Sequence, residues 1–160
     1  MSSLMKKRGS WLSELAFFIL STLLIGFLGG LIGGSSGYAM LEAPPLAPPG
    51  WVFPIVWTIL YILMAVAAFL IWQSGDEDRV GAIRLYYFQL VVNALWPLLF
   101  FRLSWRLFAL LWILLLIGLI VLTFLRFRSI RPAAAWLLIP YLLWCVFAAY
   151  LNLGFYLLNA

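Results

Sequence analysis

Apolar residues run almost unbroken for about twenty positions at a time along this chain, and polar residues gather in the gaps between. Five such runs stand out, at about Leu12–Ile32, Trp51–Trp72, Ile83–Phe101, Trp105–Phe127 and Ala133–Leu158, with the third the most polar. A hydrocarbon core about 30 Å thick is crossed by roughly 20 helical residues, so each run is long enough to span a bilayer. The runs are continuous, whereas the strands of a membrane barrel would alternate in segments of about ten residues. The expected fold is therefore all-α and integral to a membrane: a five-transmembrane-helix bundle forming a single domain over residues 1–160. The first run, of 21 residues, is longer than the roughly 7–15 apolar residues of a signal sequence, so it is read as a retained helix.

The gaps between the runs are short except for the first. Residues 35–50 hold four of the eight prolines, Pro44, Pro45, Pro48 and Pro49. Proline fixes φ and donates no backbone hydrogen bond, so this loop is expected to be stiff and extended. A lid over the bundle and a plain spacer both fit it. The basic residues of the N-terminus, the second gap and the fourth gap (Lys6, Lys7, Arg8; Arg79, Arg84; Arg126, Arg128, Arg131) number eight, against Arg102 and Arg106 on the other side. By the positive-inside rule the N-terminus is expected in the cytoplasm and the C-terminus outside.

Composition sharpens this picture by exclusion. The chain is 67% hydrophobic and 9% charged, too little polar surface for a soluble domain and too much apolar content for a disordered one. The net charge of +5 follows from basic residues scattered among short gaps; they make no continuous patch, so no nucleic-acid partner is expected. There is no histidine and a single cysteine, Cys145, which removes the commonest general base and any cysteine-cluster metal site. The five acids lie in gaps or at run ends (Glu14, Glu42, Asp76, Glu77, Asp78). No metal site, required cofactor, proton relay or conventional catalytic set is expected.

Polar and aromatic positions inside the runs carry the candidate chemistry, because hydrocarbon offers such groups no partner. In the third run Gln89, Asn93 and Trp96 follow i, i+4, i+7 spacing and share a face that Phe100 continues. In the second, Trp57 and Tyr61 share a face with Ala65 and Ala68; in the fifth, Tyr141, Trp144, Cys145, Ala148 and Asn152 do so. Converging, these three stripes would make an aromatic-walled cavity with a few hydrogen-bonding groups; each residue singly also fits ordinary helix-to-helix bonding. Pro97 and Pro140 are expected to kink the third and fifth helices. Of nine tryptophans, Trp11, Trp51, Trp72, Trp105 and Trp136 sit at run ends as interfacial anchors. Trp57, Trp96, Trp112 and Trp144 lie deeper, and Trp112, lacking polar companions, is expected to pack. Two glycine ladders in the first run, Gly26, Gly30, Gly34 and Gly29, Gly33, Gly37, let helices approach closely, within the bundle or in a dimer.

Several of these segments together resemble the TspO/MBR family of tryptophan-rich sensory and translocator proteins. The first loop of that family reads W-Y-x-x-L-x-K-P-x-W-x-P-P; here it runs from Gly37 and Tyr38 through Leu41, Ala43, Pro44 and Leu46 to Pro48 and Pro49. The stretch Trp51-Val52-Phe53-Pro54 with Trp57 and Tyr61 is similar to the second-helix signature. Phe88-Gln89-Leu90 with Asn93, Trp96, Phe100 and Phe101 is similar to the third, and Pro140-Tyr141-Leu142 with Trp144, Phe147, Ala148, Leu151 and Asn152 to the fifth. The resemblance implies a pocket closed by the first loop, a homodimer, and ligands such as protoporphyrin IX or haem-like tetrapyrroles, sterols, and isoquinoline or benzodiazepine drugs. It carries ligand-binding positions onto Tyr38, Pro48, Asn93, Trp96 and Ala148. It also carries the two tryptophans needed by members that degrade porphyrin in light onto Trp57 and Trp144. The chain departs from the family at Gly37 and Leu46, which replace loop tryptophans, and at Ala43, which replaces a lysine. No basic residue follows Tyr150 or Tyr156, so the C-terminal cholesterol motif is absent; Arg84-Leu85-Tyr86 with Leu90 fits its reversed form.

The leading expectation is a multi-pass protein of the bacterial cytoplasmic membrane, a sensory or stress-related receptor or carrier that binds a tetrapyrrole or another flat hydrophobic ligand. Its ligand-binding candidates are Tyr38, Pro48, Trp57, Tyr61, Gln89, Asn93, Trp96, Phe100, Tyr141, Trp144, Ala148 and Asn152. The alternatives are a light-dependent porphyrin-degrading enzyme acting through Trp57 and Trp144, and a structural membrane partner with a vestigial cavity.

Overall fold

Each apolar run becomes a helix long enough to cross a membrane in the computed structural model, which describes residues 2–34 and 37–160, with side chains from residue 10 onward. The helices are α1 (Ser2–Gly33), α2 (Val52–Gln73), α3 (Arg79–Pro97), α4 (Arg106–Ile130), α5 (Pro132–Trp136) and α6 (Ile139–Leu158). The membrane-crossing segments are Ser10–Gly33, Val52–Gln73, Arg79–Arg102, Arg106–Ile130 and Pro132–Leu158. They match the expected runs to within a few residues at each end. The largest extension is at the start of α3, where Arg79 reaches back over the Trp72 ring, 5.1 Å from its centroid, so a charged residue can open an apolar helix. Lys6, Lys7, Arg8 and the loop residues Ser35 and Ser36 carry parts of the orientation and lid expectations that fall outside the described side chains.

The two prolines act differently from one another. Pro97 cannot donate to the carbonyl of Asn93, and α3 ends there. The chain continues through one π-helical turn, Leu98–Arg102, in which the Leu103 amide donates to the Leu98 carbonyl at 3.0 Å. Arg102 at its end donates to the Ile32 carbonyl at 3.2 Å, satisfying part of the exposed C-terminus of α1. Pro140 was expected to kink a continuous helix. Instead the fifth span is broken before it, at Leu137–Leu138, and Pro140 lies in the first turn of α6. A proline has no N–H for the Trp136 carbonyl, so a restart one turn earlier costs less than a bent helix.

Around the bundle α2 packs on α1, α1 on α3, α3 on α4, and α4 on α5 and α6; α2 meets α5 and touches α6 only sparsely. The glycines explain the close seams of α1. A Cβ on Gly29 would lie 2.6 Å from the Ala94 carbonyl oxygen; one on Gly33 would lie 2.7 Å from the Pro97 carbonyl carbon; one on Gly26 would overlap the Tyr61 ring. The packed face is therefore Gly26, Gly29 and Gly33, drawn from both sequence ladders, while Gly30 and Gly34 face open space. The reason is geometric: a helix face returns every three or four residues in alternation, not every four.

Most of the core lies in the half of the bundle away from the first loop, around Met64, Ala68, Tyr86, Ile120, Phe127 and Tyr141. A smaller core of Leu99, Phe100, Ala109, Leu151 and Phe155 lies under that loop, with Tyr38, Leu41, Ala47 and Phe53 packed against it.

Candidate functional site

Hydrogen bonding links the polar positions of α2, α3 and α6 in one directed chain. The Tyr61 hydroxyl donates to Asn93 Oδ1 at 3.1 Å, Asn93 Nδ2 donates to the Tyr141 hydroxyl at 2.8 Å, and Tyr141 donates to Gln89 Oε1 at 2.7 Å. Asn93, Gln89 and Tyr141 are buried, and each occupies the site its i, i+4 or i+7 spacing aims at the bundle centre. Trp57 stacks on Tyr61 with centroids 5.5 Å apart and meets Tyr141 edge-on at 6.2 Å. Trp144, one turn along α6 from Tyr141, packs edge-on against Phe53 of α2 at 6.0 Å. This aromatic face lies along the sparse seam between α2 and α6.

Two side-chain donors of these stripes, one on α3 and one on α6, lack partners among the described residues. The Gln89 Nε2 and Trp144 Nε1 nitrogens are buried and make no hydrogen bond. A buried unpaired donor costs about 1–3 kcal/mol, so each of the two favours an acceptor group.

The other sequence candidates form a second group nearer the loop. Trp96 stacks on Phe100 at 4.9 Å and donates its indole N–H to Asn152 Oδ1 at 3.1 Å. Asn152 Nδ2 donates in turn to the Arg106 carbonyl at 2.8 Å, at the start of α4. The polar groups of Trp96 and Asn152 are thus engaged within the bundle. Phe100 belongs to the small core, and Ala148 is buried on α6 within the larger one. Trp112, expected to have no polar companion, donates to the Val92 carbonyl of α3 at 2.8 Å. A backbone acceptor leaves no trace in side-chain pattern, so sequence reasoning had no signal for it. Trp72 also departs from expectation: it is half-buried, tilted against Phe18 at 6.5 Å and covered by Arg79, so it is more than an interfacial anchor. Tyr86 and Leu90 of the reversed sterol motif are fully buried, with the Tyr86 hydroxyl bonded to Thr22 at 2.6 Å. Facing inward, they form no lipid-exposed motif.

The first loop is fastened over this end. Tyr38 packs against Phe53, Phe101 and Phe155 at 5.3–6.3 Å and donates to the Pro48 carbonyl at 2.9 Å. Partial burial raises the Tyr38 phenol above its ordinary pKa, so it stays protonated as a donor. From α6, Tyr150 donates to the Pro45 carbonyl at 2.8 Å, and the buried Pro44 fits against Gly154, where a Cβ would come within 2.5 Å. Asn159 clamps Glu42, accepting from its amide and donating to its carbonyl, both at 2.9 Å. The positions that depart from the family pattern differ in their local structure. Gly37 has φ +97°, a conformation glycine tolerates and tryptophan does not. Leu46 (φ +67°) and Ala43 are exposed and take no part in the fastening.

Comparison with known proteins agrees with this architecture. The TspO/MBR family model matches residues 18–157. Similar proteins include a tryptophan-rich protein TspO of Archaeoglobus fulgidus, 38% identical over 92% of this chain and 97% of its own. A tryptophan-rich protein TspO of Chlorobaculum tepidum is 40% identical over 91% and 95%. A translocator protein of Bos taurus is 36% identical over 89% and 87%.

Proposed function

The chain belongs to the TspO/MBR family, and from that premise we propose that this multi-pass membrane protein is a receptor or carrier for a tetrapyrrole, held on the aromatic face between α2 and α6. The observation that carries this reading is the pair of buried, unpartnered donors, Gln89 Nε2 and Trp144 Nε1. A flat macrocycle with carboxylate side groups answers both features of the face. Its π-system stacks on the indoles of Trp57 and Trp144, at about 0.5–1.5 kcal/mol per pair beyond burial. Its acceptors take the two orphaned N–H groups, and a hydrogen bond to a charged group adds about 1.5–3 kcal/mol.

The remaining candidates act through these. Tyr61, Asn93 and Tyr141 hold the Gln89 amide in one orientation, because the directed chain fixes its oxygen toward Tyr141 and leaves its nitrogen free. Tyr38 and Pro48 belong to the loop that shuts the end of the bundle. Ligand entry requires that loop, or the α2–α6 seam, to open.

Titration of the purified protein with protoporphyrin IX, read by tryptophan emission, tests the proposal. Saturable quenching is expected; unquenched emission at high ligand overturns it. Trp144→Phe keeps a ring but removes the indole N–H, and is expected to weaken binding by about tenfold.

A further inference from the structure

The first loop descends along the side of α6. Glu42 is clamped by Asn159 at the end of that helix, Pro44 seats on Gly154, and the Pro45 carbonyl accepts from Tyr150 at 2.8 Å. From Asn159 back to Tyr150 is nine residues, a descent of about 13 Å at 1.5 Å per residue. Tyr150 belongs to the outward stripe of α6, with Leu143, Val146, Leu153 and Leu157, whose exposed side chains face lipid in a membrane-crossing helix. We propose that the segment Pro45–Leu46 reaches this lipid surface and that Leu46, which takes no part in fastening the loop to the bundle, anchors it in the bilayer interface.

The depth of the segment follows from a second hydrogen bond on α6. Asn152, two residues from Tyr150 and so about 3 Å away along the axis, donates to the Arg106 carbonyl at 2.8 Å. Arg106 opens the span Arg106–Ile130, and the exposed Trp105 precedes it. An arginine and a tryptophan at a span end mark the headgroup boundary. Pro45 therefore lies within a side chain's length of that boundary. The far end of the loop runs into Trp51, the first of another outward stripe, with Ile55, Ile59 and Ile62 on α2.

Leu46 suits its place only where lipid covers it. The Ala47 amide donates to the Pro44 carbonyl at 3.2 Å, closing a turn in which Leu46 is the third residue, with φ +67°. That position favours glycine or asparagine, because a bulky side chain there crowds the backbone. It carries instead a leucine that is 83% exposed. In water the strain and the exposure both work against this conformation; at the interface, burial of the side chain offsets them. The neighbouring residues fit the same depth. Residues 43–51 hold no charge and include four prolines, which removes four backbone donors from a zone poor in water. The carbonyls of Pro44, Pro45 and Pro48 are taken by Ala47, Tyr150 and Tyr38.

A nitroxide attached at Leu46→Cys, in a Cys145→Ala background and in palmitoyl-oleoyl phosphatidylcholine vesicles, tests the assignment. Its collisions with oxygen, which concentrates in lipid, are compared with those of a nickel chelate, which stays in water. Leu153→Cys on the outward stripe of α6 is the lipid reference, and Glu42→Cys at the end of the helix is the water reference. The ratio of oxygen to chelate collisions at Leu46 is expected to exceed that at Glu42 several-fold and to approach that at Leu153. A ratio at Leu46 equal to that at Glu42 overturns the proposal. A label shielded from both reagents, or broadened by a second label, means that another copy of the chain covers Leu46, and overturns lipid as the occupant. Because the nitroxide is itself apolar, amide hydrogen exchange of unlabelled protein in nanodiscs of the same lipid is the second readout. Leu46→Ser is expected to speed exchange across residues 37–50 several-fold, and Leu46→Trp to leave it unchanged. Leu46→Gly, which relaxes the turn and removes the side chain, is expected to speed it as well; exchange slowed by Leu46→Gly, or unaltered by Leu46→Ser, overturns the anchor. Neither experiment contains a tetrapyrrole, so failure here leaves that reading intact.

Discussion

Asn93 shows how much one side chain can settle in a membrane interior. It joins α2 to α6 by accepting from Tyr61 and donating to Tyr141, and no water is at hand to replace it. Asn93→Leu is expected to destabilise the bundle by about 1–2 kcal/mol, with two interhelical bonds lost at roughly 0.6–1 kcal/mol each. Thermal unfolding in detergent measures this. The same substitution frees the Gln89 amide to rotate, so protoporphyrin binding is expected to weaken too. Spacing in the sequence put Gln89, Asn93 and Trp96 on one face, and they are on one face. What it left open was which polar groups are spent inside the bundle. The Trp96 N–H goes to Asn152 and the Trp112 N–H to a backbone carbonyl, whereas the Trp144 N–H goes to no described group. That division depends on a few ångströms of helix offset, which periodicity does not encode.

Among the elements, α1 and the first loop make the clearest predictions. Gly29 faces the backbone of α3 and Gly30, the next residue, faces open space. Gly29→Val is expected to force α1 from α3 at a cost of about 1–3 kcal/mol, while Gly30→Val stays within about 0.5 kcal/mol; paired thermal melts of the two variants separate these outcomes. The loop is held by Asn159, which grips both the amide and the carbonyl of Glu42. Asn159→Ala is expected to raise hydrogen exchange across residues 37–50 and to speed protoporphyrin dissociation several-fold, with the helices unaffected. The sequence made this loop stiff through its prolines. It did not reveal that Pro44 seats on Gly154 or that Tyr150 and Asn159 bind the loop backbone, since those partners lie more than a hundred positions apart.

For the molecule as a whole, the bundle is sealed well enough to hide its single thiol. Cys145 is fully buried between the tyrosines of α2 and α6. Maleimide labelling is expected to be negligible in the folded protein and complete after unfolding, so labelling against temperature reports global stability. Labelling of the native protein at a rate comparable to the unfolded chain would mean that the α2–α6 seam opens widely. The two ends of the bundle differ in kind. One is capped by a fastened loop over an aromatic core; the other carries an open cleft lined by Glu14, Phe17, Trp72 and Tyr87.

The sequence by itself determined the number of spans, their limits to within a few residues, the faces that turn inward and the family. Those properties follow from local facts: the length of an apolar run against bilayer thickness, the helical repeat, and motifs contiguous in the chain. The tertiary structure decided which glycines meet a neighbouring helix, that Pro97 leads into a π-helical turn while Pro140 starts a helix, which indoles are already bonded, and that a cleft opens at the end away from the first loop. Each of these depends on the rotation and offset of one helix against another. Those are set by packing among residues far apart in the chain, and so become readable only once all the helices are in place.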